Sequence, residues 1–320
     1  MQRKELLLRK SKLDYLANRN YCKKTDWRLN TNMSETNKGY GLGLIQSPYD
    51  PRDYKFKDLC PVASMNIPKY YQTDISNDIT YDQSTSSQCC ASAIAYIRYL
   101  QESDAKQSQV TEPFSPTFIY GNRNFGKDYE GEGMFLREAC KKARDGMVLF
   151  HEMVYPCSYP KAKELFLERK TELLEKADAF GNVSFYTCNS RKEIIAAIMN
   201  CKAVLIGIPV FKCLYKPDKN GIVNYIPKVH TKSDGGHAVV LTGITEVDGK
   251  DYWILKNSWG EKWGNRGNGT CLLPVEYPWM DEAYVLVDES MTMKFEEYKK
   301  KYYGNKFSMT KVVDKIRSFI

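Results

Sequence analysis

Near residue 181 the chain changes its hydrophobic period, and that switch limits the folds open to it more than any other feature. Before it, apolar residues recur at helical spacing. Ala93, Ile94, Ile97 and Leu100 share one face of a helix expected over Cys89–Gln101, with a second through Met134–Ala143 and a charged third through Lys161–Ala177. After it come short strand-like runs at Ala203–Phe211, Ala238–Thr245, Tyr252–Lys256, Gly269–Leu273 and Tyr284–Val287, with Asp248-Gly249 between two of them as a hairpin turn. A short helix through Ile194, Ile195, Ile198 and Met199 opens on Ser190-Arg191-Lys192-Glu193, a capping box. A helical half followed by a mainly antiparallel half predicts an α+β protein of two lobes with a cleft between them.

The flanks read differently. Residues 1–60 are polar, with one amphipathic helix on Leu6, Leu13 and Leu16 and then turn chemistry at Ser47–Asp53, so they are expected to wrap a core rather than form one. Residues 291–320 form a basic, aromatic extension whose end (Val312, Val313, Ile316, Phe319, Ile320) is a weak amphipathic helix, expected to dock on its own protein. The body is therefore set at residues 61–290, with a helical lobe to about 180 and a β lobe from about 181. No apolar run approaches the roughly 20 residues of a membrane-spanning helix. Leu6–Leu8, followed at once by Arg9 and Lys10, is too short for a secretory signal, which predicts an intracellular setting, or a virion-associated one if the source is viral. The ten cysteines are then expected to be mostly reduced, and the sequons at Asn32, Asn182 and Asn268 unused. Without paired CxxC units a zinc ribbon is not expected, and no metal or cofactor is. The net charge of +8 is spread along the chain, with Glu residues beside Lys141-Lys142 and Lys299–Lys301, which reads as a solvated surface rather than a specific nucleic-acid interface.

Within that frame one constellation carries chemistry. A thiol attacks a carbonyl efficiently only as thiolate, and Cys89 stands at a predicted helix start, where peptide dipoles favour negative charge. Of the three histidines, His237 opens an apolar strand after Gly235-Gly236, a position suited to a side chain presented at a cleft. Asn257, at the end of the strand Tyr252–Lys256 and inside Asn-Ser-Trp-Gly, is placed to orient the imidazole, with Trp259 to shield it. Gln83, six residues before Cys89, and the Cys89 N–H are candidate donors to a developing oxyanion. His151 and His230 lack such flanks and are read as surface or core residues, His230 near the cleft.

These motifs resemble those of the papain family of cysteine peptidases: Asp82-Gln83 … Cys89, then Gly235-Gly236-His237-Ala238-Val239-Val240, then Lys256-Asn257-Ser258-Trp259-Gly260-Glu261-Lys262-Trp263-Gly264, in the family's order. Phe114–Tyr120 and Ala203–Pro209 add to the likeness, which covers about residues 61–290. The resemblance implies a papain-like (cathepsin-type) two-lobed fold and an endopeptidase that forms a thioester on Cys89, with His237 as general acid/base, Asn257 orienting it and Gln83 in the oxyanion hole. It also implies that Ser87, Gly133, Met134, Gly236 and Trp259 line the substrate cleft, Met134 at the main specificity pocket. Departures cluster at the nucleophile: Ser87-Gln88-Cys89-Cys90 replaces the family's Gly-Ser-Cys-Trp, and Ser86 stands where a disulfide cysteine is usual. Counting from Gln83 selects Cys89, leaving Cys90 as a buried helix residue. Residues 1–60 admit two readings, an inhibitory prosegment removed on activation or a permanent extension. A catalytically inactive papain-like binding module and an acyl transferase are the competing functions. The Lys-, Asn- and Tyr-rich composition resembles proteins of large DNA viruses and of protists.

Overall fold

The structure, a computed structural model, describes residues 39–75, 78–103, 112–123, 131–264, 267–288 and 291–297. The helices expected on Leu6–Leu16 and Val312–Ile320, the run Lys299–Lys301 and the sequon at Asn32 lie outside them.

Helices gather in the first half: α1 (Phe56–Leu59), α2 (Cys89–Ser103), α3 (Pro116–Gly121), α4 (Leu136–Asp145), α5 (Tyr159–Glu168) and α6 (Lys170–Ala177). α7 (Arg191–Cys201) and the single turn α8 (Lys212–Tyr215) lie among the strands. The strands are β1 (Leu44–Ile45), β2 (Tyr71–Gln72), β3 (Met134–Phe135), β4 (Ser184–Thr187), β5 (Val204–Pro209), β6 (Gly236–Val247), β7 (Lys250–Lys256), β8 (Thr270–Pro274) and β9 (Ala283–Val287). They form one curled sheet in the order β3-β1-β6-β5-β9-β4, and β6 also pairs with β2 and with β7, which carries β8.

α2 is buried over most of its length, which is why its apolar stripe reads so clearly. It lies between the helical lobe and the sheet, and its residues share a core with Phe114, Phe118 and Leu136 on one side and Leu205, Ala238 and Val240 on the other. A second core fills the β lobe around Val204, Leu241, Leu255, Trp263 and Val285. The capping box is realised at α7, where the Ser190 side chain accepts from the Glu193 N–H and the Glu193 carboxylate accepts from the Asn189 N–H, one residue ahead of the cap. The predicted Asp248-Gly249 turn joins β6 to β7 with φ of 50° and 73°, the left-handed pair a two-residue hairpin needs.

Three expectations are corrected. The helix expected from Met134 begins at Leu136, because Met134 and Phe135 are extended and pair with Leu44 and Ile45. The long charged helix is two, α5 and α6, separated at Arg169 (φ −122°), whose guanidinium is drawn onto Glu152 and Glu172. The segment expected only to wrap a core contributes to it: Phe56 is fully buried against the Phe295 ring, with Leu59 and Cys60 beside it. Burying a side chain of that size stabilises by about 2–3 kcal/mol.

Candidate active site

Two elements bring the predicted residues together. α2 starts at Cys89, which places that thiol in the field of the helix N-terminus. Gln83 precedes it in a loop that crosses to the other lobe: Gln83 N–H donates to Ser258 O at 2.9 Å, Gly260 N–H to Tyr81 O at 3.1 Å, and Asp82 bridges Trp259. The β6–β7 hairpin does the rest. Val240 lies opposite Lys256, so the antiparallel register carried on past the ladder sets Asn257 and Trp259 beside His237.

His237 is fully buried, and its Nε2 lies 2.7 Å from Asn257 Oδ1. The Ser258 N–H donates to that same oxygen at 2.8 Å, so it is an acceptor on both counts and Nε2 carries the hydrogen. This tautomer directs Nδ1 elsewhere; it has no hydrogen-bond partner among the described residues, and the Cys89 thiol is the group that His237 lowers. Burial alone would push the Cys89 thiol up. Hydrogen bonds from the Cys90 thiol, His237 and the Ala238 N–H, with the charge of His237, outweigh it and hold the group well below the ordinary thiol range. Cys90 moves the opposite way, raised by burial and by the neighbouring Cys89, and its thiol donates to Met134 O at 3.2 Å. The adjacent cysteines therefore differ in kind: the Cys89 thiol is held low, and the Cys90 thiol is held high with its hydrogen directed at Met134 O. The Trp259 ring stacks on His237 at 4.6 Å between centroids.

Gln83 is clamped at both ends. Its Oε1 accepts from Ser258 Oγ at 2.6 Å, and its Nε2 donates to Ser86 O at 2.7 Å and to Gly41 O at 3.0 Å. That last bond belongs to an arrangement of the N-terminal segment whose path the sequence left open. Residues 40–45 run along the residues expected to line the cleft, with Leu44 opposite Gly236, the residue before His237. Tyr40 stacks on Trp259 at 4.5 Å, the Gly41 N–H donates to Ser84 O at 2.9 Å, and the Met134 N–H donates to Gly43 O at 2.7 Å. β1 then pairs parallel with β3 and, through Leu44 opposite Gly236, antiparallel with β6. Every residue expected to line the cleft meets this segment: Ser87, Gly133 and Met134 around Gly43, Gly236 beside Leu44, and Trp259 under Tyr40. A Cβ on Gly41 would collide with the Ser86 carbonyl, and one on Gly43 with that of Ser87, so the segment fits this closely only because those positions are glycine. Leu44 packs on Gly207, with Leu136 and Met280 around the same glycine. Cys89 has no exposed surface.

The sequence did carry a signal for this cover. Gly41-Leu42-Gly43-Leu44 alternates with period two, so as a strand one edge is bare backbone and the other is leucine. To one side lies an open hollow of about 490 Å³ bounded by Gln83–Ser87, Glu132 and Pro156–Ser158. The remaining histidines stand apart. His151 is held by both Glu112 oxygens, and His230 lies against Tyr225 and Phe211. No cluster of His, Cys, Asp or Glu suited to a metal ion occurs among the described residues.

Comparison with known proteins agrees with this geometry. Residues 124–272 match the sequence model of the papain family cysteine proteases. An uncharacterized peptidase C1-like protein of Acanthamoeba polyphaga mimivirus is 31% identical over 205 residues, 61% of this chain and 64% of that protein. Bovine cathepsin S is 29% identical over 159 residues, 47% of this chain and 41% of its own length. The aligned parts thus span less than two thirds of these relatives. Xylellain, a cysteine protease from Xylella fastidiosa, superposes with a TM-score of 0.64 at 20% identity over 80% of this chain and 99% of its own. Procathepsin B S9 of Trypanosoma congolense gives 0.56 at 16% identity, covering 77% and 85%. These last two share the papain-like fold of two lobes.

Proposed function

Because residues 124–272 belong to the papain family of cysteine proteases, we propose that this chain is a cysteine endopeptidase made in a covered, latent form. The observation that carries the reading is the tautomer of His237. With Nε2–H committed to Asn257, Nδ1 is left for the Cys89 sulfur, as a thiolate–imidazolium pair requires.

In the mechanism this implies, the Cys89 thiolate attacks the substrate carbonyl carbon, and the carbonyl oxygen takes up negative charge between Gln83 Nε2 and the Cys89 N–H. His237 gives its Nδ1 proton to the departing amine, which leaves a thioester on Cys89. Water, deprotonated by the same nitrogen, then hydrolyses the thioester and restores the thiolate. Asn257 fixes the imidazole, Trp259 screens the Asn257–His237 bond, and Ser258 holds Gln83 in place. Cys90, where the family has tryptophan, stays protonated with its hydrogen on Met134 O and leaves Cys89 as the nucleophile. On this reading the peptidase domain is residues 61–290 with Phe56–Cys60 and Phe295 completing its core, and its substrates are peptides or proteins.

Latency follows from residues 40–45. Gly41 O takes the Gln83 donor that an oxyanion needs, and β1 pairs with β3 on one side and, next to His237, with β6 on the other. The test is direct. With the cover displaced, the protein is mixed with a defined peptide library and analysed by intact mass and by product mapping. A transient acyl adduct on Cys89 and hydrolysis that vanishes in Cys89→Ala are expected. No turnover and no adduct with the cleft open would refute the peptidase reading and leave a papain-like binding module. Amide products formed only with added amines would make the chain a transferase.

A further inference from the structure

One ammonium group sits where the pieces of the site are joined. Lys256 is the last residue of β7 and the neighbour of Asn257, yet its side chain is buried, 3% exposed. Its Nζ donates to Asp78 Oδ2 at 2.7 Å, to Thr80 Oγ1 at 2.8 Å and to Asn268 O, so all three of its hydrogens are used. The Asp78 side chain is equally buried, and its other oxygen accepts from the Tyr96 hydroxyl at 2.7 Å and from the Ile79 N–H at 3.0 Å. The ammonium also lies 5.1 Å from the centre of the Tyr96 ring. The Glu261 carboxylate is the other charge felt there.

These partners come from three directions. Tyr96 stands on α2, about two turns after Cys89. Asp78 and Thr80 lead into the loop that carries Gln83. Asn268 adjoins Gly269, whose carbonyl accepts from the Asn257 N–H at 2.9 Å. Packing alone does not brace Asn257 against α2, because a small void lined by Ala93, Tyr96, Ala238, Val240, Lys256 and Asn257 lies between the helix and the β6–β7 hairpin. Stability does not explain the ion pair either. Taking two charges out of water offsets most of their attraction, and apolar side chains of similar volume often stabilise as well. What a fully hydrogen-bonded pair adds is a single fixed geometry.

We propose that Lys256 and Asp78 are positioning residues: together they set how far Asn257 stands from α2, and through Asn257 they keep His237 beside Cys89. This rests on the reading of Cys89 and His237 as the reacting pair. Asn257 Oδ1 holds the His237 imidazole, so an end of β7 that drifts carries the imidazole with it. Through Thr80 the same ammonium fixes the approach of the Gln83 loop to that strand. Nucleophile, imidazole and oxyanion donor thus share one anchor.

The experiment compares two full chains that both carry Gly41→Ala, so that residues 40–45 are treated alike. One is otherwise unchanged, and the other is the double variant Lys256→Met/Asp78→Asn, which removes both charges and leaves neither buried alone. Cys89 labelling by iodoacetamide is followed across pH by peptide mapping; circular dichroism and thermal unfolding report the fold, and a peptide library reports hydrolysis. The midpoint of the labelling profile reads the pairing of Cys89 with His237 and needs no turnover. It should lie below the ordinary thiol range in the reference chain and rise by about one pH unit or more in the double variant, a loss of about tenfold in thiolate near pH 6. The fold should persist, with kcat lowered at least tenfold and KM little changed. A folded double variant whose midpoint and kcat match the reference overturns the proposal and leaves the peptidase reading standing. A raised midpoint with no hydrolysis by either chain supports the positioning role and sinks the peptidase reading instead. A reference midpoint in the ordinary thiol range overturns both. Should the double variant not fold, Tyr96→Phe, which cuts only the link to α2, carries the test: its midpoint should rise in the same direction, and an unchanged midpoint overturns the proposal.

Discussion

Replacing Gly41 by alanine tests the cover with one methyl group. Its Cβ would collide with the Ser86 carbonyl, which sits on the loop leading into α2 and is itself fixed by Gln83 Nε2. The body has little freedom to yield, so the cover must lift. Lifting it breaks the Gly41–Ser84, Gln83–Gly41 and Met134–Gly43 hydrogen bonds, worth about 1 kcal/mol each, and exposes Leu44, whose burial is worth about 2 kcal/mol. Together these come to about 5 kcal/mol, more than a thousandfold in the closing equilibrium at about 1.4 kcal/mol per tenfold. Ordering the segment's backbone works against closure, so the net is smaller than the sum of its contacts and a tenfold effect is already decisive. The assay is the rate of iodoacetamide labelling at Cys89 near pH 6, where an ordinary thiol of pKa about 8.5 barely reacts. Gly41→Ala should label at least tenfold faster than the parent, and Gly39→Ala, where a Cβ meets nothing, should match the parent. A folded Gly41→Ala protein labelling within twofold of the parent would refute the steric argument.

Other expectations follow from the same architecture. In an uncovered protein His237→Ala should abolish labelling of Cys89 near pH 6 and restore it only at alkaline pH, because the hydrogen bond and charge that favour the thiolate are gone. Gln83→Ala should lower kcat by about 10²–10³ with KM less affected, the usual effect of removing an oxyanion donor. Phe56→Ala should cost about 3–5 kcal/mol in urea unfolding, against the near-neutral result a dispensable appendage would give. His151 is pushed up to about 10 by its hydrogen bonds to Glu112 and then to Glu152. A raised folded-state pKa stabilises fully below the unfolded value of about 6.5 and is lost as pH rises through about 10, so the urea midpoints of the parent and His151→Gln should converge across that window.

The parts of this molecule that could be read in advance are those whose cause is local. The stripe on α2, the cap at Ser190 and the turn at Asp248-Gly249 each depend on residues a few positions apart, and each appears where the chain alone suggests. Cys89, His237, Asn257 and Gln83 were legible because their flanks are written into the sequence, although their meeting depends on the β6–β7 register. What stayed hidden depends on partners far along the chain. Met134 and Phe135 carry a helix-compatible pattern, and only pairing with Leu44 and Ile45 makes them extended. The division at Arg169 has neither glycine nor proline to announce it, and coincides with a guanidinium shared between Glu172 and Glu152, the latter seventeen residues earlier. The path of residues 40–45 depends on pairing that reaches to Gly236, with no local property except the glycine alternation to hint at it.

The stack on Trp259 gives the cover an optical signature. Tyr40, Tyr215 and His237 all lie against that indole, at 4.5, 5.5 and 4.6 Å between ring centroids. When Tyr40 leaves, one face-to-face neighbour is exchanged for solvent, and the emission of this one indole among five tryptophans must change in wavelength and yield. Uncovering of the cleft therefore writes itself into intrinsic fluorescence, so a stopped-flow trace can time it in the unmodified protein without substrate, dye or label.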